Sequence, residues 1–278
     1  MERNARGHRL ILSAANPTFK RAKSLRDKKH RRREGLFLAE GLRILTEARE
    51  AGSLPEQLFY AEERALHPLA ETLIAAALDA GGEVIATNAD ILSRLSGKDN
   101  PQTLIGLYPD RLTPIDAIDR HAAPIWLVAQ AMRDPGNLGT LLRTGDAVGA
   151  GGVILIDDCV DPFSVETVRA SMGALFTQNI AHTDWATFIG WLRGGPGQLV
   201  GTSLAPGTVD YRQPDYPAPC FILIGNEARG LPAEYEAACD VRVVMPMLGK
   251  ADSLNASVAA AVMAYKVLER QGGNPGGQ

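Results

Sequence analysis

The sequence predicts an α/β protein with two domains, the second built on a parallel β-sheet that helices cover on both faces. From residue 123 onward, short strands that are apolar on both sides alternate with helical stretches, which is the pattern of a buried parallel sheet. The first hundred residues show a shorter alternation of the same kind. An apolar fraction of 45% with 22% charged residues agrees with a globular chain of 278 residues that buries a substantial core.

The first domain is predicted to span residues 1–107. A basic helix ends at Gly35, the strand LFLAE follows, and the next helix ends at Gly52. Strands are then expected at PEQLFYAEE, EVIATN and QTLIGLYP, with helices at PLAETLIAAALDAGG and ADILSRLS between them. Residues 108–122 contain Pro and charged residues without sustained periodicity, which indicates a linker.

The second domain is predicted to span residues 123–271. Its strands are expected at IWLVAQ, GVILID, QLVGTSL, CFILIG and VRVVMPM. Its helices are expected at Asn137–Val148, Pro162–Met172, Ala186–Trp191, Pro232–Ala238 and Leu254–Arg270. The last residues, 272–278, are rich in Gly and are expected to form a disordered tail.

Charge is distributed unevenly along the chain. Residues 1–33 contain 12 Lys or Arg against Glu2 and Asp27, so this arm carries about +10 while the whole chain carries −3. A basic arm on an acidic body favours a polyanionic partner, and nucleic acid is favoured over a membrane because no amphipathic apolar stripe accompanies the charge. A solvated leader without a partner is the alternative that charge alone leaves open.

Several classes of function are disfavoured by what the sequence lacks. Its three cysteines are scattered and its five His residues dispersed, so we expect neither a metal site nor a disulfide framework. No apolar run approaches the roughly 18 residues that span a bilayer, and we expect a cytoplasmic protein. The motifs GxxxxGK[ST], HExxH and GxSxG are missing, which disfavours phosphate-loop ATPases, zinc proteases and serine hydrolases.

Three polar loops, each following an apolar strand, are the candidate functional site. The first contains Asn137, with Arg143 less than two helical turns beyond it. Asn137 is alternatively a helix N-cap and Arg143 a solvated surface residue.

The second loop, after CFILI, contains Gly225 and Glu227, and Glu227 is alternatively a turn acid that complements a helix dipole. The third precedes the Ala-rich last helix, where either Ser253 or Asn255 is positioned to cap it. Because ligands of open parallel sheets bind outside the carboxyl ends of the strands, the three loops together predict a shared ligand site.

At these loops the sequence resembles the SpoU (TrmH) family of RNA ribose 2′-O-methyltransferases, within the SPOUT superfamily. The motifs that carry the resemblance are NLGTLLRTGDAVGA, LIGNEARGL and MPMLGKADSLNASVAAAV, and VDPFSVETVRASMGAL between them is also similar to the family. The resemblance covers roughly residues 123–270. The first hundred residues resemble more loosely the L30e-like substrate-binding domain that precedes the methyltransferase domain in many members.

The resemblance implies that S-adenosylmethionine is held in a C-terminal trefoil knot. Gly225, Met245 and Leu254 would contact this cofactor, with Thr202 as a weaker candidate. Arg143 would be the catalytic group. A guanidinium pKa above about 12 makes it a poor general base, so we expect it to bind the adjacent phosphate and stabilise a developing alkoxide. Asn137 and Glu227 would orient it, and Ser253 or Asn255 would line the site; no metal takes part.

The resemblance further implies an RNA partner and a homodimer formed through the knotted domain. We expect 23S rRNA rather than tRNA as the substrate, because the separate N-terminal domain is more typical of rRNA-modifying members. The alternatives are a tRNA 2′-O-methyltransferase, a non-catalytic RNA-binding or ribosome-assembly protein that keeps the fold, and a generic nucleotide-binding α/β enzyme.

Overall fold

The computed structural model describes residues 2–63, 66–98 and 102–273, and it divides the chain into two compact units. The first unit comprises Met1–Asp110 together with Asp161–Thr177, and the second comprises Arg111–Val160 together with Gln178–Gln278. The division after Asp110 lies three residues beyond the predicted end of the first domain, because the last strand of the first unit continues to Pro109. Most of the predicted tail, residues 274–278, lies outside the described residues.

The first unit contains a mixed five-stranded sheet. Its strands are β1 (Arg9–Ile11), β2 (Leu36–Glu40), β3 (Gln57–Ala61), β4 (Glu83–Thr87) and β5 (Leu104–Pro109). Their spatial order is β1-β4-β3-β5-β2, with β5 antiparallel to both of its neighbours and the remaining pairs parallel. The helices in this part of the chain are α1 (Pro17–Ser24), α2 (Lys28–Glu34), α3 (Leu42–Glu50), α4 (Pro68–Asp79) and α5 (Ala89–Ser96).

The second unit contains a seven-stranded sheet in which every pairing is parallel, as predicted. Its strands are β6 (Ile125–Gln130), β7 (Gly152–Ile156), β8 (Asn179–Thr183), β9 (Gln198–Thr202), β10 (Val209–Asp210), β11 (Cys220–Ile224) and β12 (Val241–Val244). The helices of this half of the chain are α6 (Pro135–Ala147), α7 (Val165–Ser171), α8 (Trp185–Arg193), α9 (Ala233–Ala238) and α10 (Ala256–Arg270). No helix among the described residues is both long and apolar enough to cross a bilayer.

The strand order of this second sheet creates a position for a ligand. The order is β10-β12-β9-β11-β6-β7-β8, so the chain runs outward from β6 to β8 and then returns to build the other half of the sheet. Strand β11 is inserted between β6 and β9, and both β6 and β11 are buried along their whole length. Polar loops are therefore brought together where β6, β11 and β12 end, which is where open parallel sheets bind ligands.

Three strands were absent from the sequence prediction, and all three are outermost in their sheets. Strands β1 and β10 contain only three and two residues, and β8 has the sequence NIAHT, in which apolar and polar residues mix. Edge strands are commonly short and polar, so they lack the continuous apolar pattern by which the central strands were found.

The segment Asp161–Thr177, predicted to belong wholly to the second domain, packs within the first unit. Its Asp161 accepts hydrogen bonds from the guanidinium of Arg31 at 2.6 Å, and both side chains are largely buried. Its Arg169, on α7, pairs with the buried carboxylate of Glu40 at 2.5 Å. Phe37 of β2 also stacks against Phe163 of the segment, with ring centroids 5.0 Å apart. Buried charges are costly without a partner, so both ion pairs bind this segment specifically to the first unit.

The predicted linker, residues 108–122, is more ordered than its composition indicates. Its first two residues belong to β5, and Ile115–Ala117 form a short 3-10 helix. The main-chain N–H of Thr113 donates to the carbonyl of Ile180, and Ile118 is buried. From Arg111 onward the segment therefore belongs to the second unit and is held there by defined contacts.

Replacing Asp161 by Asn should destabilise the first unit. The change leaves the buried guanidinium of Arg31 without its counter-charge, which costs about 3–5 kcal/mol of unfolding free energy for a buried pair. Urea denaturation followed by circular dichroism measures the loss. The matched control is Asp90→Asn, which removes an exposed ion pair to Arg94 and should cost less than about 1 kcal/mol. Equal shifts for the two variants would contradict the importance of the buried pair.

Candidate active site

The three predicted loops meet in one hydrogen-bonded cluster in the second unit. The side-chain amide of Asn137 donates to Oε1 of Glu227 at 3.1 Å, and its carbonyl oxygen accepts from the amide of Asn255 at 2.9 Å. Asn137 is only 9% exposed. One side chain from each motif therefore contributes to the same cluster, in which the buried Asn137 stands between the exposed residues Glu227 and Asn255.

Ser257 completes the cluster, and the sequence analysis missed it. Its hydroxyl lies 2.7 Å from Oδ1 of Asn255 and 3.3 Å from Oδ1 of Asn137, and the residue is 4% exposed. A signal for it was available, because Ser257 lies three residues before Ala260 and so is the one hydroxyl on the buried, Ala-lined face of α10.

The cap of α6 is Asp134, not Asn137. The carboxylate of Asp134 accepts from the main-chain N–H of Asn137 at 2.7 Å, and Pro135 occupies the first helical position. Asn137 lies inside the first turn, which frees its side chain to join the other loops. At α10 the open choice between Ser253 and Asn255 is resolved: Asn255 caps the helix by accepting from the N–H groups of Ser257 and Val258.

Backbone geometry ties the first loop to the second. Ala131, directly after β6, has φ 46°, which is uncommon for a residue with a side chain. Its carbonyl accepts from the side-chain amide of Asn226 at 2.8 Å, and the N–H of Arg133 donates to Oε2 of Glu227 at 3.4 Å. The contacts from the second loop thus maintain a strained turn that aims the first loop at Glu227.

The second loop folds back on itself tightly. Oδ1 of Asn226 accepts from the N–H groups of Ala228 and Arg229, and the carbonyl of Asn226 accepts from Gly230. A Cβ added at Gly225 would lie 2.5 Å from the carbonyl carbon of Gly230, so only glycine permits this close approach.

Two cavities flank the cluster. The first cavity, of about 410 Å³, lies at the ends of β9, β11 and β12, and all four predicted cofactor residues line it: Thr202, Gly225, Met245 and Leu254. The second cavity, of about 670 Å³, is more open and is lined by Asn137, Glu227, Ser253 and Asn255, together with Arg133 and Asp134. Of the cluster, Glu227 belongs to both linings, so this carboxylate lies between two adjoining spaces. The other residues shared by the two linings are Asn226, Ala228, Ser253, Leu254 and Ala256.

Arg143 stands apart from this cluster within one chain. It is exposed, and it belongs to neither lining of the two cavities as formed by the described residues. Six residues along a helix correspond to about 9 Å of rise and to a side about a third of a turn away from Asn137. Asn137 and Glu227 hydrogen-bond each other instead of Arg143. The expectation that these two residues orient Arg143 is therefore not met inside a single chain.

Other chemistry is disfavoured by the described residues. Burial raises the pKa of Cys159 to about 11 and that of Cys220 to about 12, so both thiols are protonated at neutral pH and poorly nucleophilic. The part of the chain that the structure describes contains no group of three or more His, Cys, Asp or Glu side chains that could hold a metal ion. The polar groups that the cluster itself offers are amides, a hydroxyl and a carboxylate.

Replacing Asn137 by Asp should make stability depend on pH. The new carboxyl group would lie about 3 Å from Glu227, and two carboxylates so close raise the pKa of one of them above its ordinary value of about 4. The folded variant then retains a proton that the unfolded chain releases, so its stability relative to wild type falls as pH rises above about 4. The deficit in melting temperature should thus be larger at pH 8 than at pH 5.

A matched control is Asn16→Asp. Asn16 caps α1 by accepting from the N–H of Thr18, a role that Asp fills equally well. This variant should show no loss of stability between pH 5 and pH 8 relative to wild type. A pH-independent deficit for Asn137→Asp would contradict the charge-repulsion argument.

Comparison with protein families gives two matches that together span most of the chain. Residues 124–265 match the SpoU rRNA Methylase family, and residues 16–106 match the MRM3-like substrate binding domain. The first match contains the cluster and both cavities. The second covers most of the first unit, which agrees with the predicted substrate-binding domain ahead of the methyltransferase domain.

Individual relatives match over nearly their whole length. A 23S rRNA (guanosine(2553)-2′-O)-methyltransferase of Bacillus subtilis is 28% identical, over 92% of this chain and 97% of the relative. A 23S rRNA (uridine(2479)-2′-O)-methyltransferase of Streptomyces viridochromogenes is 30% identical, over 94% of this chain and 92% of the relative. Both resemble the present chain across the two units.

Solved structures agree with this relationship. The AdoMet-bound rRNA methyltransferase from Sinorhizobium meliloti is 37% identical, with a TM-score of 0.87 over 94% of this chain and 97% of that one. The AdoMet complex of the SpoU methyltransferase AviRb from Streptomyces viridochromogenes is 30% identical, with a TM-score of 0.84 over 92% of this chain and 98% of that one. The resemblance seen in the three motifs is thereby confirmed, and the chain belongs to the SpoU rRNA methylase family.

Proposed function

We propose that this protein transfers the methyl group of S-adenosylmethionine to a ribose 2′-hydroxyl of 23S rRNA. The observation that carries the proposal is the cluster of Asn137, Glu227, Asn255 and Ser257, in which Glu227 lines both of two adjoining cavities. Such an arrangement holds two reactants side by side, one in each cavity, which is what a direct group transfer requires. Two relatives that match along nearly the whole chain are named 23S rRNA 2′-O-methyltransferases.

The first cavity fits the methyl donor. Its lining combines apolar side chains, among them Met245 and Leu254, with the main chain of the tight Gly225 turn. Leu204, which also lines it, is largely exposed, as expected of an apolar wall that a ligand covers. S-Adenosylmethionine, which is bound in two of the similar solved structures, supplies a sulfonium-activated methyl group. The residues of this chain therefore need chiefly to position the acceptor.

Glu227 is suited to hold the acceptor hydroxyl. Its two carboxylate oxygens accept one hydrogen bond each from Asn137 and from the N–H of Arg133. An ionised carboxylate has about four acceptor sites, so capacity remains for the 2′-hydroxyl proton. Asn255 and Ser257 fix the amide of Asn137 in the orientation that donates to Glu227. The cluster thus pre-organises one acceptor atom toward the second cavity.

Arg143 retains its proposed role in binding phosphate and stabilising a developing alkoxide, but we propose that it acts on the site of a second copy of the chain. Helix α10 presents the exposed apolar side chains Val258 and Tyr265, and the exposed Leu254 lies directly before its cap. Helix α6, which carries Arg143, packs against α10. A homodimer that covers this apolar stripe would place Arg143 at the contact between the two copies. The trefoil knot and the cytoplasmic location stay predictions.

The first unit supplies a basic surface for docking RNA. Six side chains of the α1–α2 region are exposed cations that form no ion pair with an acidic side chain among the described residues: Lys20, Lys23, Arg26, Lys28, Lys29 and Arg32. The nearby acids are already engaged, because Asp27 caps α2 and Glu34 pairs with Arg21 and Arg33. Unpaired cations of this kind bind the phosphate backbone and supply affinity without sequence selectivity.

Ribosomal RNA is favoured over tRNA as the substrate. A solved structure described as showing 2-OH methylation of C/U34 on tRNA matches only 55% of this chain while 99% of that protein is covered. The first unit thus has little counterpart there, whereas the 23S rRNA relatives match across both units. A tRNA methyltransferase is the second candidate. A non-catalytic ribosome-assembly protein is the third, and the intact cluster argues against it.

Replacing Glu227 by Gln should reduce methyl transfer about 100-fold or more, the usual loss when one pre-organised hydrogen-bonding group at a reacting atom is removed. The measurement is tritiated-methyl transfer from S-adenosylmethionine to deproteinised RNA of a strain lacking the gene, followed by digestion to nucleosides. A labelled 2′-O-methylnucleoside in large rRNA is expected from wild type. Glu234→Gln, an exposed residue on α9, is the control and should retain full activity.

Three results would redirect the proposal. Label in tRNA would favour the second candidate, and label on a base would exclude ribose methylation. Absence of transfer by wild type that still binds S-adenosylmethionine, on both free RNA and isolated ribosomal subunits, would favour the non-catalytic protein.

Mixing two inactive variants tests whether Arg143 acts across a dimer. Co-expressed Arg143→Ala and Asn137→Ala chains should recover about a quarter of wild-type activity, because half of the random dimers are mixed and each mixed dimer has one complete site. If Arg143 acts within its own chain, no site is complete and activity stays absent. The control pairs Asn137→Ala with Glu227→Gln, which damage the same cluster and should not complement each other.

A further inference from the structure

The lining of the second cavity includes an arginine, Arg133, to which neither the three motifs nor the family matches assign a role. Arg133 lies in the first loop, four residues before Asn137, and its side chain lines this cavity. Of the described residues around the cavity, it is the one that carries a positive charge. The two carboxylates in the same lining already accept hydrogen bonds from other groups: Asp134 caps α6, and Glu227 belongs to the cluster.

The backbone holds Arg133 beside the reacting position. Its main-chain nitrogen lies 3.4 Å from Oε2 of Glu227, and the strained turn at Ala131 maintains that approach. The side chain therefore begins next to the carboxylate that we assign to the acceptor hydroxyl. Since a ribose 2′-oxygen and the 3′-phosphate are attached to adjacent carbons, a phosphate must lie within a few ångströms of any 2′-hydroxyl bound at Glu227.

The guanidinium of Arg133 is available for exchange. It pairs with Asp158 at 2.5 Å, but the two side chains are 61% and 74% exposed. Exposed ion pairs contribute little to stability, because solvent screens them and two flexible side chains must be ordered. A guanidinium binds a phosphate through two parallel hydrogen bonds, so an incoming phosphodiester competes well with one exposed carboxylate.

We propose that Arg133 binds the phosphate on the 3′ side of the target nucleotide, and that Asp158 holds the guanidinium in place until RNA arrives. The inference rests on the proposed function, since it assigns the second cavity to the methylated nucleotide. Arg133 binds this phosphate from within the chain that carries Glu227. Arg143, which we propose reaches the site from a second copy of the chain, then acts chiefly on the developing alkoxide. Arg133 contributes to affinity for RNA, and Glu227 to positioning of the hydroxyl.

Steady-state methyl transfer by the full-length protein tests the proposal, with RNA concentration and salt both varied. Arg133→Ala should raise the KM for RNA about 10- to 100-fold, the loss expected for a hydrogen-bonded charge, with little change in kcat. Arg133→Lys should recover part of that loss. The slope of log affinity against log salt should become less steep by about 0.7–0.9 when one phosphate contact is removed.

Two companion variants separate this role from a structural one. Asp158→Asn removes the competing carboxylate and keeps the guanidinium, so the KM for RNA should fall or stay within about twofold of wild type. Arg193→Ala removes another exposed ion pair of the second unit, to Asp240 next to the start of β9, and should leave the KM for RNA unchanged. Equal damage from Arg133→Ala and Asp158→Asn would show that the pair is structural and would overturn the proposal.

Calorimetric titration with S-adenosylmethionine distinguishes the two possible oxyanions. The dissociation constant of the cofactor should be the same for wild type and Arg133→Ala. If it rises while the KM for RNA stays constant, Arg133 binds the cofactor carboxylate, and the phosphate assignment is wrong. If the KM of Arg133→Ala for RNA equals that of an active wild type, this inference alone is overturned. If wild type transfers no methyl group, the proposed function is overturned and this inference with it.

Discussion

The amide of Asn137 is the interaction on which the site depends. One side-chain amide donates to a carboxylate from the second loop and accepts from the cap of the last helix, so three segments remote in sequence are held at one point. Asn137 itself is buried, and a buried amide that loses a partner is expensive, so its orientation is well defined. Because Asp134 takes over the capping of α6, Asn137 is free for this purpose. The wall between the two cavities exists because these loops are joined there.

The parallel sheet is the second constraint, and it could be predicted from the sequence almost strand by strand. Continuous apolar runs such as IWLVAQ and CFILI become the buried central strands β6 and β11, and every strand pairing in that sheet is parallel. The edge strands β1, β8 and β10 escaped prediction because one face or one end of each meets solvent, which weakens the apolar pattern. The apolar pattern in the sequence therefore reported which strands are buried, and it did not report every strand.

The site was predicted in part. The four residues predicted to contact the cofactor line one cavity, and Asn137 hydrogen-bonds both Glu227 and Asn255. Ser257 was missed because a lone serine in an Ala-rich helix start resembles a capping residue, and its partner across 120 positions is invisible to local patterns. Arg133 was missed for a different reason: an exposed arginine in a loop has no distinguishing pattern until the turn at Ala131 and the cavity beside it are known. Sequence spacing likewise could not show that Arg143 faces away from the cluster.

The insertion of Asp161–Thr177 into the first unit has a consequence for synthesis on the ribosome. The buried carboxylate of Glu40 pairs with Arg169, and the buried guanidinium of Arg31 pairs with Asp161. Both partners are synthesised more than a hundred residues later, so neither ion pair can form before then. Vectorial folding of the N-terminal unit is therefore incomplete until the first two strands of the other sheet, β6 and β7, have left the exit tunnel. The same pairs constrain the exchange of substrate-binding domains between relatives. A chimera joined at a single position after residue 110 would take Arg31 and Glu40 from one parent and their partners Asp161 and Arg169 from the other.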